Sequence, residues 1–245
     1  MAVELPNATE SVLRAYLFGL MDFDAALLLQ RRFVDQVQGD RGRAFVVFCE
    51  HPPQISVGRE GSWAHLQAPN GEMRTNGLPV RWVNRGGGCM LHQPGQLAIY
   101  SIMALDRRGW TIPDYLQRLQ LTLGDALHDF CLPVTVSPNQ REVCVSGRAI
   151  AQVGVAVTQW VSYFGAVLNI NPDLSAWPRS RWENPSWPVM TSIERERRGP
   201  LRTSLLRERL LEHFANRFGF DRTSLFLDHP SLRRKVTLNA LTAPS

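Results

Sequence analysis

Four short apolar segments follow one another between residues 132 and 170, and they constrain the fold more than any other feature of the chain. They read LPVTV, EVCVSG, AIAQVGVAV and SYFGAVLNI, and glycine, asparagine or other polar residues separate each from the next. Short β-branched runs with turn residues between them are typical of antiparallel strands. The sequence therefore predicts a sheet rather than an all-helical bundle.

Longer segments repeat apolar residues at helical spacing and predict amphipathic helices. The three helices are expected at residues 21–38, 111–130 and 203–219. Thr111 and Pro113 are typical of a helix start, and Gly219 is typical of a helix stop. Further strands are predicted at residues 44–50, 54–59, 79–84 and 97–105. Together these elements predict an α+β fold.

A chain of 245 residues with no internal repeat or low-complexity linker predicts one domain. We place this domain at residues 1–220 and a polar C-terminal extension at residues 221–245. The first 20 residues lack the basic start and apolar run of a secretory signal. No apolar run approaches the ~18–20 residues that span a bilayer. The expected location is the cytoplasm, without membrane association.

The formal net charge of +5 favours acidic partners, which include nucleic acids and acidic carrier proteins. The most basic segment, RERRGPLRTSLLRER, alternates arginine with glutamate as a solvated helix face does, so nucleic-acid binding is not expected. The cysteines, Cys49, Cys89, Cys131 and Cys144, include no C-x-x-C pair. Their spacing predicts neither a disulfide framework nor a metal site.

A glycine triplet lies in the stretch RGGGCMLHQPGQ, residues 85–96. The stretch matches neither G-x-x-x-x-G-K-[ST] nor G-x-G-x-x-G, which argues against a nucleotide phosphate loop. Three glycines can form a tight turn, or they can leave bare backbone against which an extended ligand lies. The polar side chains of Arg85, His92 and Gln96 beside the triplet favour the ligand site.

The longer run RGGGCMLHQPGQLAIY resembles the signature of the octanoyltransferases of the lipoate pathway, the lipoate-protein ligase B family. That signature reads Arg-Gly-Gly-x-x-Thr-aromatic-His-x-Pro-Gly-Gln with a later tyrosine. The segments VVFCEHPPQISVGR, VSGRAIAQVGVAV, YFGAVLNINPDL and NPSWPVMTSI resemble further signatures of the family, in the same order. The similarity covers about residues 20–220.

The resemblance implies the biotinyl/lipoyl protein ligase fold, in which helices pack on a mixed sheet. It also implies transfer of an octanoyl group from acyl carrier protein to a lysine of a lipoyl domain, with these two proteins as partners and no metal or cofactor. The implied acyl-binding residues are Arg85, Gly86, Gly87, Gly88, Cys89, Met90, Leu91, His92, Gln152, Val153, Gly154, Gly165, Ala166 and Val167.

The family's catalytic pair is a cysteine and a lysine, the lysine stabilising the thiolate that attacks the acyl group. This chain has Ala149 in the lysine place of the pattern Gly-x-Lys-Ile-Ala and Ser186 in the cysteine place of Pro-Cys-Gly. Phe164 stands where a histidine is usual, and the only lysine of the chain is Lys235. Losing an activated nucleophile can cost ~10⁶ in rate, so the usual route is expected to be very slow.

Three residues are candidate replacements for the missing pair: Cys89 as a relocated nucleophile, His92 as a base for Ser186, and Arg148 as a displaced cation. For Cys89 the alternative is a small buried residue in a turn. Gln152, where the family has a small residue, would shorten or wet the acyl tunnel. Two functions stay open: an octanoyltransferase with rearranged chemistry, and a catalytically degenerate homologue that binds an acyl or lipoyl group or a carrier protein without turnover.

Overall fold

The computed structural model describes residues 11–66, 77–137, 140–176 and 189–229. Ser186, Lys235 and the part of the predicted extension after residue 229 lie outside the described residues. The strands are β1 (Val12–Leu20), β2 (Ala44–Glu50), β3 (Gln54–Val57), β4 (Val80–Trp82), β5 (Cys89–His92), β6 (Gln96–Met103), β7 (Val134–Val136), β8 (Glu142–Val145), β9 (Arg148–Thr158), β10 (Val161–Asn169) and β11 (Arg222–Phe226). The α-helices are α1 (Phe23–Gly39), α2 (Ile112–His128), α3 (Ile193–Arg197) and α4 (Thr203–Phe218).

The larger sheet has the strand order β11-β1-β2-β6-β10-β9-β8-β7. β1 runs parallel to both β2 and β11, whereas every pair from β2 to β7 is antiparallel. The four segments predicted as consecutive antiparallel strands are β7 to β10. The predicted α+β fold with a mixed sheet is therefore confirmed.

Helices cover both faces of this sheet. Apolar side chains of β2 alternate between the two faces, so each face has an apolar surface on which a helix packs. On one face, Phe33 of α1 stacks on Phe45 of β2 with ring centroids 4.2 Å apart. On the other face, Tyr115 of α2 and Phe218 of α4 pack edge to face in the core that also contains Phe48 of β2. No helix in the described ranges is long and apolar enough to cross a bilayer.

The two long helices on the second face begin and end where the sequence predicts. Thr111 and Asp114 form a capping box at the start of α2, each side chain bonding the other residue's backbone N–H. α4 ends at Gly219, whose φ of +67° is in the left-handed region. Arg118 donates a hydrogen bond of 2.9 Å to the carbonyl of Arg217, which satisfies one acceptor in the last turn.

β1 and β11 are strands that the sequence analysis did not predict. β11 lies within the predicted extension, yet Arg222 to Phe226 pair in register with Val12 to Tyr16 at the edge of the larger sheet. Its side chains are mostly exposed, so the strand carries no alternating apolar pattern by which it could be recognised. For the residues after β11, the separation between the predicted domain and a C-terminal extension stays a prediction.

A smaller sheet, with the order β4-β3-β5, positions the glycine stretch. β5 comes directly after the glycines and pairs antiparallel with β3 from Cys89↔Val57 to His92↔Gln54. Alternation along β5 sends Cys89 and Leu91 to one face and Met90 and His92 to the other. Side chains of the stretch therefore pack in two separate environments, one on each face of the smaller sheet.

Candidate active site

The glycine stretch packs against backbone from two other parts of the chain. The N–H of Gly58 donates to the carbonyl of Gly88 (3.0 Å), and the N–H of Gly86 donates to the carbonyl of Val155 (2.8 Å). A Cβ atom on Gly58 would lie 2.4 Å from the carbonyl oxygen of Gly87, and one on Gly154 would lie 2.8 Å from that of Gly86. The absence of a Cβ at Gly58 and Gly154 is therefore needed for close packing on the stretch, whereas a Cβ on Gly88 itself would meet no atom within 4 Å.

Arg85 holds this loop from inside. Its side chain is buried and donates four hydrogen bonds, to the carbonyls of Gly86 and Gly88 (3.1 Å each) and to the carbonyl and hydroxyl oxygens of Ser56 (2.9 and 2.7 Å). No carboxylate is among these partners. Burial lowers the pKa of the guanidinium to about 10, so the group remains a cation at neutral pH. Arg85 supplies a buried positive charge next to the glycines.

His92 is connected to this arginine through Ser56. The hydroxyl oxygen of Ser56 accepts a hydrogen bond from Arg85 and shares a second hydrogen bond, of 2.8 Å, with Nε2 of His92. Burial lowers the pKa of His92 well below its ordinary value, and the neighbouring titratable ring of His51 and the cation of Arg85 lower it further. His92 is therefore a neutral ring at neutral pH, and its Nε2 is already hydrogen-bonded.

A second buried pair lies beside it, formed by His51 and Tyr100. Nδ1 of His51 donates to the carbonyl of Met21 (2.8 Å), which leaves Nε2 to accept from the hydroxyl of Tyr100 (2.7 Å). Burial lowers the pKa of His51 and raises the pKa of Tyr100. The rings of His51 and His92 meet edge to face, with centroids 5.6 Å apart. Both histidines and the tyrosine are thus uncharged at neutral pH.

These residues surround an internal cavity between the two sheets. Its lining includes seven of the residues implied by the resemblance: Arg85, Met90, His92, Gly154, Gly165, Ala166 and Val167. Four others complete it: Phe23, Ser56, Tyr100 and Phe164. The free volume is only about 10 Å³, room for no more than about one water molecule. An acyl chain can therefore enter only if side chains move.

The remaining implied residues lie around this cavity without lining it. Gly86 and Gly87 are part of the loop behind Arg85, and Gly88 carries one of its acceptor carbonyls. Val153 packs in the core on the α2 side of the sheet, and Gln152 is half-buried between its register partners on β8 and β10. Cys89 and Leu91 face the other side of the smaller sheet.

Ala149 lies on that other side, in a small apolar cluster. The cluster contains Ile55, Val57, Leu66, Cys89, Leu91, Ala149 and Met190. The backbone of Ala149 accepts from Thr191 and donates to Val189, both at 2.8 Å. The segment that follows Ser186 in sequence thus meets β9 at Ala149, where the resemblance implies a lysine. Ser186 itself lies outside the described residues, so its place relative to Ala149 stays a prediction.

The three candidate replacements have surroundings that oppose those roles. Burial raises the pKa of the Cys89 thiol to about 11, so very little thiolate exists at neutral pH. Arg148 binds the carboxylate of Glu196 with bonds of 2.8 and 2.9 Å from one nitrogen, which holds its charge in an ion pair. Nε2 of His92 is hydrogen-bonded to Ser56, and the lowered pKa makes the ring a weak base. The geometry favours none of them as a substitute for the catalytic pair.

Phe164 has an unusual backbone for a bulky residue. Its φ of +61° is in the left-handed region, which costs a side chain of this size strain energy. Its N–H leaves the strand ladder and donates to Oε1 of the buried Gln30 on α1 (2.8 Å). The left-handed turn places the ring with Val167 on the α1 face, whereas regular alternation would place it with Ala166.

Several residues of the site were not identified from the sequence. His51 and Tyr100 lie in segments that resemble the family, EHPP and GQLAIY, and these motifs were the signal that could have marked them. Ser56 lies in the same family-like segment as His51, VVFCEHPPQISVGR, whereas Phe23 carries no such signal, because only the docking of α1 brings it to the cavity. Within the described ranges, no group of three or more His, Cys, Asp or Glu side chains is placed to hold a metal ion.

Solved structures share this architecture. A bipartite lipoate protein ligase from Thermoplasma acidophilum, studied with its E2 lipoyl domain, has a TM-score of 0.67 at 16% identity, over 88% of this chain and 87% of that one. A lipoate-protein ligase A bound with ATP has a TM-score of 0.63 at 14% identity, over 87% of each chain. At these identities the similarity shows the fold alone.

Sequence relatives are closer. The octanoyltransferase of Syntrophobacter fumaroxidans is 35% identical over 156 residues, 64% of this chain and 68% of that protein. The octanoyltransferase of Geotalea uraniireducens is 32% identical over 178 residues, 73% of this chain and 80% of that protein. Residues 22–215 match the family described as the lipoyl protein ligase A/B catalytic domain. The chain therefore belongs to the lipoyl protein ligase A/B catalytic domain family.

Proposed function

We propose that this protein transfers an octanoyl group from a carrier-protein thioester to the lysine of a lipoyl domain, in the cytoplasm. One observation carries the proposal: three segments remote in sequence, 85–92, 152–154 and 165–167, each contribute to the lining of one buried cavity. The relatives named octanoyltransferase support this reaction and no other. The cavity is the proposed acyl site.

The surroundings of Ala149 suggest how transfer proceeds without the usual pair. Ala149 has no amine, and the thiol of Cys89 is protonated at neutral pH. We infer direct transfer, in which the acceptor lysine nitrogen attacks the thioester carbonyl carbon. The amide C–N bond forms, the C–S bond breaks, and the carrier thiol leaves with the proton released by the amine. The protein contributes orientation of the two reactants and exclusion of water.

A mass assay tests the transfer. Purified protein is incubated with octanoyl carrier protein and an apo lipoyl domain, and the mass of the lipoyl domain is followed. We expect it to gain one octanoyl group in proportion to added protein, and the protein itself to carry no acyl adduct. Cys89→Ala and Ser186→Ala are expected to retain the activity. Loss of activity in one of them would place a covalent nucleophile there instead, and no acylation at any protein concentration would contradict transfer.

Restoring the family's pair provides a positive control for the same assay. The double variant Ala149→Lys, Ser186→Cys returns an amine and a thiol to the places that the resemblance assigns to them. An activated nucleophile with acid–base assistance is worth at least ~10²-fold in rate, so transfer should accelerate by that factor or more. A folded double variant with unchanged rate would mean that the two positions do not form a catalytic pair in this chain.

We also propose a second function, binding without turnover. Ala149 lies among apolar side chains and offers no amine at the position where the resemblance implies a lysine. In that case octanoyl carrier protein binds measurably in calorimetry, while the lipoyl domain remains unmodified. The same two measurements on one preparation therefore distinguish the two functions.

A further inference from the structure

Phe164 separates the internal cavity from an open groove on the surface. The groove has a volume of about 550 Å³ and runs between α1, the residues after β4 and the β9–β10 hairpin. Apolar side chains line much of it, including Leu27, Val34 and Trp82. Phe164 lines both the groove and the cavity. Polar side chains, including Arg31 and Asp35, line the rest of the groove. The Phe164 ring therefore forms a wall between the cavity and the apolar part of the groove.

The backbone of Phe164 holds the ring in this wall. Regular alternation would direct the side chain to the opposite face of the sheet, and the left-handed φ of +61° brings it to the α1 face instead. The hydrogen bond from its N–H to Gln30 anchors this conformation to α1. The ring also meets Tyr100 edge to face, with centroids 6.2 Å apart. A strained conformation that surrounding contacts maintain in a ligand cavity points to a function for the side chain.

We propose that Phe164 determines the length of acyl chain that the protein accepts. The inference rests on the proposed function only in taking an acyl chain as the ligand of the cavity. The carbonyl end of the chain lies toward the polar side chains of Arg85 and His92, and the methyl end is stopped by the Phe164 ring. Other side chains of the cavity move to admit the acyl chain, whereas the Phe164 ring, whose backbone is anchored to Gln30, stays in place and keeps longer chains from the groove beyond it.

The physical basis is the burial of methylene groups. Each buried methylene contributes roughly fourfold to affinity, so affinity rises with chain length until the chain meets the wall. Removing the ring joins the cavity to the apolar groove, and further methylenes are then buried. Four more of them would raise the affinity ~10²-fold at full burial, and partial burial in an open groove still gives about tenfold.

Calorimetry with S-acylpantetheines tests this inference, using butanoyl, hexanoyl, octanoyl, decanoyl and dodecanoyl thioesters. Phe164→Gly removes the ring, and glycine adopts a positive φ without strain, so this variant is expected to fold. Phe164→His, the residue usual in the family, keeps a smaller ring as a second variant. We expect the affinity of the unmodified protein to stop rising at a shorter chain than that of Phe164→Gly, with dodecanoyl binding at least tenfold tighter in the variant.

Trp160→Gly is the matched control, because Trp160 is an exposed aromatic residue with φ +62° in the same hairpin and outside the groove. Its chain-length profile should equal that of the unmodified protein. Identical profiles for folded Phe164→Gly and the unmodified protein would overturn the inference, as would the absence of binding by any thioester. Acyl transfer is measured separately, so a shifted profile without transfer leaves this inference standing while the proposed reaction fails.

Discussion

Arg85→Lys is the substitution that most directly tests how the glycine stretch is held. Arg85 donates from one terminal nitrogen to Gly86 and Gly88 and from the other to both oxygen atoms of Ser56. Lysine keeps the positive charge but has a single nitrogen in place of the planar fork. It can reach the two oxygen atoms of Ser56, which are close together, but not the two glycine carbonyls as well. The variant therefore isolates geometry from charge.

The magnitude follows from the bonds that are lost. Two hydrogen bonds from a charged donor, at about 1.5–3 kcal/mol each, predict a loss of about 3–6 kcal/mol in the free energy of unfolding. Relaxation of the loop reduces this value, and single substitutions rarely exceed about 4–5 kcal/mol. We therefore expect a loss of about 3–4 kcal/mol. Since domains of this kind are stable by about 5–15 kcal/mol, the variant should fold but with a much smaller margin.

Urea unfolding followed by tryptophan fluorescence measures the effect. The free energy of unfolding falls by about 1–3 kcal/mol or somewhat more per molar urea, so a loss of about 3–4 kcal/mol should lower the urea midpoint by about 1 M or more. Arg59→Lys is the control, because the exposed Arg59 makes a long side-chain hydrogen bond, of 3.4 Å to Asn84, and no other among the described residues. Its midpoint should change little. A midpoint for Arg85→Lys within error of the control would refute the reasoning, since the fork would then contribute nothing that a point charge does not.

Three further outcomes are expected. Gly165→Ala places a Cβ 2.2 Å from a backbone carbonyl oxygen of β6 and should lower the free energy of unfolding in urea by about 1–3 kcal/mol or more. Gly88→Ala, whose Cβ would point into open space, should leave the free energy of unfolding unchanged. Glu196→Gln should lower the free energy of unfolding by about 1–2 kcal/mol, and a double-mutant cycle with Arg148→Met should assign most of this loss to coupling between the two residues. A coupling energy near zero would mean that Glu196 stabilises the protein by some contact other than the ion pair. The pKa of His92 is lower in the folded protein than in the unfolded chain, so its contribution to stability is complete above the unfolded pKa of about 6.5 and is lost as pH falls below it, by at most ~1.4 kcal/mol per pH unit. The urea midpoint of His92→Gln should therefore depend less steeply on pH between pH 6.5 and 5 than that of the unmodified protein. An equally steep dependence in both proteins would contradict a lowered pKa for His92.

The glycine stretch illustrates how far its residues could be interpreted before the fold was known. Its sequence predicted a ligand site with polar groups on both sides, and the structure does bring Arg85 and His92 to the lining of one cavity. The carbonyl groups of Gly86 and Gly87, however, pack on Gly154 and Gly58, and a Cβ on Gly88 would meet no atom within 4 Å. Sequence spacing cannot distinguish these outcomes, because both require glycine and the difference depends on strands that are remote in the chain.

The departures from the family pattern show the same limit. Ala149 and Phe164 are visible as substitutions in the sequence, and each removes a polar group. Only the structure shows that Ala149 lies in an apolar cluster and that a left-handed backbone turns the Phe164 ring into the cavity. Likewise, a displaced cation at Arg148 was a reasonable hypothesis until Glu196 was found bound to it.

The sequence alone determined the α+β class, the three long helices with the caps at Thr111 and Gly219, and the four consecutive antiparallel strands, because periodicity and turn chemistry are local properties. Its motifs also indicated the family. Tertiary structure decided which polar groups meet, how far each is buried and therefore which are charged, and how little space remains between them. Those quantities depend on contacts between residues far apart in the chain, and so the closed cavity and the wall formed by Phe164 could be found only in the folded protein.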